Sequence, residues 1–119
     1  MILIGMLLAA LTAPALADSY PLSGKWGESA SSEKGPIDCG GKRVIDFNDG
    51  QRTDSKGGVP AYRNKTVTPD GASRWRVTDE FTTGQISNAR TTYSLRKVDD
   101  DHVEMRLQQG GTVKLQRCK

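Results

Sequence analysis

The chain has 119 residues, with 17 Lys and Arg against 14 Asp and Glu, one His and a net charge of +3. That length suits one domain. The basic residues run from Lys25 to Lys119 without a dense block, which argues against the clustered stripe of a nucleic-acid binder and leaves weak attraction to an anionic envelope surface open.

The first segment stands apart from the rest. Met1 to Leu16 is almost wholly apolar, with Pro14 near its end, and Ala15-Leu16-Ala17 puts small residues at the two positions a signal peptidase reads. The run is too short to span a membrane as a stable helix. It reads as a bacterial-type secretory signal peptide, residues 1–17, cleaved after Ala17. The alternative is an uncleaved anchor or a buried N-terminal helix. No Lys or Arg precedes the run, so a true start upstream of Met1 stays open, and no Cys at the cleavage point offers a lipid anchor. The mature part, residues 18–119, is expected to be exported, either periplasmic or secreted, with no transmembrane segment.

Only 16 of the 102 residues from Asp18 onward are Leu, Ile, Val or Phe. So thin a core implies modest stability and reliance on a crosslink. Cys39 and Cys118, 79 positions apart, are an even count in an exported chain and predict one disulfide. In the loop-entropy model closing such a loop contributes roughly 4.5 kcal/mol. Two Cys and one His make a poor metal set.

Turn signals recur through the mature part at the spacing of an all-β sandwich or barrel, among them Asn48-Asp49-Gly50, Pro69-Asp70-Gly71 and Gln109-Gly110-Gly111. Nine β-prone runs lie between them, near 22–28, 43–47, 61–67, 73–77, 80–83, 86–90, 92–98, 102–107 and 112–118. A short helical turn is expected between 49 and 59. The clearest alternation is C-terminal: Tyr93 and Leu95, then Val103, Met105 and Leu107, then Val113 and Leu115, each separated by polar residues. Period two puts one set inside and the other outside. The fold class is therefore all-β: one small antiparallel meander barrel of about eight strands, closed on itself so that no edge is left.

Ser23-Gly24-Lys25-Trp26 opens the first run, and Arg117 ends the last one with the inward parity of Val113 and Leu115. An inward Arg needs an aromatic face or carbonyl partners. A Gly-x-Trp on the first strand with an Arg on the last resembles the lipocalin-like (calycin) barrels. The resemblance implies that Trp26 closes one barrel end, that Arg117 packs over its ring, and that Gly24 leaves room for the crossing chain. In size the chain is closer to the small periplasmic barrels that inhibit metalloproteases or lysozymes, but its cysteine placement differs from theirs, so no inhibitory residue carries over.

Catalytic machinery is not recognisable. His102 follows Asp99-Asp100-Asp101 and reads as part of a solvated hairpin loop rather than a dyad or metal site. There is no Gly-x-Ser-x-Gly elbow. Asp79 and Glu80 are sequence neighbours on opposite faces of a strand and cannot flank a substrate. Asp46 to Gly50 lacks calcium-loop spacing. In Arg74-Trp75-Arg76 the Trp is expected to face the core and the two Arg water, rather than forming a platform for single strands. The expected function is non-enzymatic binding of a macromolecular partner, a protein or an envelope component and not nucleic acid, with no cofactor. Inhibition of an exported protease or lysozyme and a secreted host-interaction role are two forms of it. Carriage of a small amphipathic ligand, with Tyr62, Trp75 and Tyr93 lining the interior, is the rival, and an enzyme centred on His102 is a distant third.

Overall fold

The computed structural model describes residues 20–119; the predicted signal peptide lies outside them. Eight strands follow in chain order: β1 Gly24–Glu28, β2 Val44–Asn48, β3 Gln51–Asp54, β4 Tyr62–Pro69, β5 Arg74–Phe81, β6 Ala89–Asp99, β7 His102–Leu107 and β8 Thr112–Arg117. Each pairs antiparallel with the next, and β8 returns to β1, so the meander closes into a barrel. No helix among the described residues is long and apolar enough to cross a membrane.

Alternation sets the inside. Val77, Tyr93, Leu95, Val103, Met105, Val113 and Leu115 join Trp26, Ile45 and Phe47 in one buried cluster. Their strand neighbours Arg76, Arg96, Arg106 and Lys114 are exposed. The β2–β3 hairpin turns on Asp49 and Gly50, at φ +55° and +76°. Two consecutive positive φ values suit the right-handed twist of a hairpin, and Asp-Gly adopts them at little strain.

The strand count comes out at eight by a different route from the sequence. Runs 73–77 and 80–83 are one strand, β5, and runs 86–90 and 92–98 are one strand, β6. Asp79 falls between the first two of these runs, and it sits inside the barrel paired with Arg52. In place of the expected helical turn stands β3, Gln-Arg-Thr-Asp. It carries no apolar residue because its two inward positions are Arg52 and Asp54, which face Phe47 and Ile45 across the hairpin.

Residues 29–42 form a long strap between β1 and β2, laid on the outer face of β1 and β8. Ile37 bridges Cys118 in parallel, with Ile37 N–H donating to Arg117 C=O and Lys119 N–H to Ile37 C=O, both at 2.9 Å. Gln116 points outward but is fully covered by the strap. Its Nε2 donates to the carbonyls of Glu33 and Gly35 at 2.9 Å each, and its Oε1 accepts from Ser29 Oγ at 3.0 Å. The predicted disulfide Cys39–Cys118 is present, Cα to Cα 5.7 Å, and ties the strap to the last strand. Gly27 lies beneath it: a Cβ there would come within 2.5 Å of Cys39 Sγ.

Candidate functional site: a sealed interior and a basic outer face

One charged group is buried at the barrel centre. Asp79, on β5, is 0 % exposed. Its Oδ2 accepts from Arg52 Nε at 2.8 Å and from Tyr93 Oη at 2.7 Å. Its Oδ1 accepts from Tyr20 Oη at 3.0 Å and from Asn64 Nδ2 at 3.3 Å. The Arg52 guanidinium lies over the Tyr62 ring, 3.8 Å from its centroid, and near Tyr93 at 4.8 Å. Two charges removed from water need such pairing to be tolerated. Asn64 Oδ1 is buried without a hydrogen-bond partner among the described residues.

The chemistry of the cluster is fixed rather than poised. Burial, followed by the charge of Asp79, pushes the Tyr20 phenol well above its ordinary range. Burial does the same to Tyr93 against the opposing pull of Arg52. Arg52 keeps its proton more firmly than a free guanidinium: burial works against its charge, and Tyr93 and Asp79 outweigh it. The two phenols and the guanidinium therefore hold their protons at neutral pH, and none of them can serve as a base. The cluster locks β3, β4, β5, β6 and the segment carrying Tyr20 together. Tyr20 also meets the Phe47 ring edge-on at 4.9 Å.

Of the three residues expected to line a ligand chamber, the structure brings two together: Tyr62 and Tyr93 flank the Arg52 guanidinium, with Tyr62 tilted against Phe81. Trp75 is partly buried at the opposite mouth. That mouth holds a cavity of about 230 Å³, with Leu22, Trp26, Trp75, Leu95 and Arg117 in its wall. It is smaller than the usual ligand pocket of about 300–1,000 Å³. Its cations are already matched: Lys97 Nζ meets Asp100 Oδ1 at 3.1 Å, and Arg117 donates to the Asp100 carbonyl at 2.6 Å and lies 3.4 Å from Asp101 Oδ1.

Trp26 is 2 % exposed, and Arg117 sits over its ring at 4.7 Å. The reason given for Gly24 needs correction. A Cβ there would meet nothing within 4 Å, and its φ of +87° is what calls for glycine. The close approach belongs to Gly27.

His102 also departs from expectation. It is the first residue of β7, its side chain only 12 % exposed, with Nδ1 2.8 Å from Asp99 Oδ1. That contact holds the Asp99 carboxyl below the usual carboxylate range. A cavity of about 180 Å³ joins His102 to Ser29, Ser31 and Ser32 of the strap. No serine hydroxyl bonds the ring: Ser29 Oγ is taken by Gln116, Ser31 Oγ accepts the Glu33 amide, and His102 Nε2 has no partner among the described residues. The described residues contain no group of three or more His, Cys, Asp or Glu placed to hold a metal.

Outside the barrel the register does what the sequence hides. The ladder aligns Thr68, Arg76, Ser94, Arg106 and Thr112 in one row across β4 to β8. It aligns Arg74, Arg96, Glu104 and Lys114 in the next row across β5 to β8. Cations scattered over some 40 residues of chain thus share one face. As expected, Trp75 turns from this face and its two flanking Arg stay on it. Comparison with protein-family models, with curated proteins and with solved structures gives no match.

Proposed function

We propose that this chain is a non-enzymatic, exported barrel that works by contact between its outer surface and a macromolecular partner. The observation that carries the reading is the filled interior. Trp26, Ile45, Phe47, Leu95, Met105 and Leu115 occupy the barrel, each no more than 2 % exposed, and the central charged pair, Arg52 and Asp79, is spent on itself. An eight-stranded barrel is just wide enough to be filled by its own side chains or to hold one small ligand, and here the side chains take the space. Surface loops and strand faces on a rigid frame are then what remains for recognition. The disulfide fits an oxidising compartment, and the Gly24, Trp26 and Arg117 arrangement is in keeping with a lipocalin-like barrel.

An open groove of about 640 Å³ lies beside the disulfide, with Lys25, Ile37, Val44, Asp46 and Lys119 in its wall. It suits a protein contact, the form the reading takes if the partner is an exported protease or lysozyme.

Native mass spectrometry of protein isolated from its own compartment tests the reading. The expected result is the mass of the disulfide-closed chain with no small molecule attached. A stoichiometric small-molecule adduct that survives purification would replace this reading with carriage.

A further inference from the structure

The two outward rows hold five cations, Arg74, Arg76, Arg96, Arg106 and Lys114, against one carboxylate, Glu104. We infer that this face of β4–β8 binds an anionic polysaccharide, its carboxylate or sulfate groups taken by the arginines and its sugar hydroxyls by the interleaved Ser and Thr. The inference rests on the reading that the outer surface is the working surface.

Arg74 and Arg96 stand directly opposite each other in the ladder. Like charges in that position destabilise a sheet, so the folded barrel alone gives no reason for the pair. An anion between them does. Only Arg96 has a close counter-ion, Glu104 at 3.1 Å. Arg76 reaches Asp70 at 4.0 Å, with both side chains at least half exposed, which is worth little in water. Among the described residues, Arg74 and Arg106 form no ion pair. A depression of about 80 Å³ lies among Arg74, Ser94, Arg96, Glu104, Arg106 and Thr112. Guanidinium groups bind carboxylate and sulfate-like oxyanions through two parallel N–H donors.

The composition of the rows selects the kind of polyanion. No aromatic or aliphatic side chain lies in them, so they lack the apolar centre on which protein interfaces depend. Trp75 is turned inward, which removes a stacking surface for bases. Neither row carries an apolar side chain that could enter a bilayer. What the first row does offer is hydroxyl, guanidinium, hydroxyl, guanidinium, hydroxyl, at the strand spacing of about 4.8 Å. A chain of sugars bearing regularly spaced acidic groups matches that alternation. The row next to it, Thr66, Thr78 and Thr92, continues the hydroxyl surface.

The test measures binding of the disulfide-closed protein to immobilised dextran sulfate and polygalacturonate. Uncharged dextran, duplex DNA of matched charge and vesicles of anionic lipid are the other arms. Binding to the two anionic glycans is expected, weakening with salt and stronger than to DNA or vesicles. The variant Arg74→Ser/Arg76→Ser/Arg106→Ser should lose roughly tenfold or more in affinity. The variant Lys34→Ser/Lys42→Ser/Lys56→Ser, with the same change in net charge and away from the rows, should stay close to wild type. Circular dichroism confirms that both fold. Equal loss in the two variants, no glycan binding, or tighter binding to DNA or vesicles would each overturn the assignment. If the protein binds neither glycan but still captures a protein partner from the envelope, the assignment fails and the outer-surface reading stands; a retained small ligand would instead sink that reading.

Discussion

The β5–β8 side and the β1–β3 side of this barrel close by different means. Strands β5 and β6 share eight paired positions, from Arg74↔Arg96 to Phe81↔Ala89, and each of β5 to β8 supplies at least two buried apolar or aromatic side chains or one such residue with Asp79. Strands β3 and β4 share two pairs, Gln51↔Arg63 and Arg52↔Tyr62, and the inward residues of β3 are charged. The weaker side is compensated from outside and from the centre: the strap and its disulfide cover β1 and β8, and Arg52 reaches across to Asp79. A chain with few apolar residues thus places them mainly on one side and fastens the other with polar and covalent links.

The sharpest way to break this contrast is to remove the joint. Asp79→Ala leaves Arg52 buried without its counter-ion, and a broken buried pair costs about 3–5 kcal/mol. Urea unfolding should show that loss, or no folded protein at all; a loss under 1 kcal/mol would mean that the two sides do not depend on the pair. Cys39→Ala/Cys118→Ala comes next, at about 2–4 kcal/mol by the same measurement, because it frees a closed loop of 79 positions.

Alkaline titration probes the joint without mutation. The Tyr93 and Tyr20 phenols are held above their ordinary value, so the folded state keeps protons that the unfolded chain releases. Stability should be flat below the ordinary tyrosine value of about 10 and fall as pH rises beyond it. Tyr93 sets a slope of about 1.4 kcal/mol per pH unit, and Tyr20, bonded to the same carboxylate, adds to it. Denaturant midpoints across this range check the sign, and Tyr20→Phe should flatten the fall. The smallest effect belongs to the mouth. Arg117→Ala removes the cation over Trp26 and should cost about 0.5–2 kcal/mol, with increased Trp26 fluorescence quenching by a solvent quencher as the second readout.

The two sides were also unequally legible in the sequence. Strands β6, β7 and β8 announce themselves through Tyr93/Leu95, Val103/Met105 and Val113/Leu115, because an inside and an outside face leave a period of two. β3 left no such mark: its inward Arg52 is polar in composition and becomes interior only through Asp79, 27 residues later. The same partnership hid the continuity of β5. Charge complementarity across strands is a tertiary property, and the signal that could have found it is one acid, Asp79, at the inward parity of Trp75 and Val77. The disulfide was legible from an even cysteine count. The strap was not, since its hold on Gln116 runs mainly through the backbone carbonyls of Glu33 and Gly35, which carry no residue signature. The arginine rows escaped for a similar reason: they are assembled by register from residues that sit one or two per strand.

Residue-resolved hydrogen exchange on the oxidised and reduced protein tests the contrast most directly. Reduction should strip protection from the amides of Trp26 to Glu28 and Ile45 to Phe47, while those of Val77, Leu95 and Met105 keep most of theirs. Equal loss on both sides, or protection of β1 and β2 that reduction leaves untouched, would contradict it.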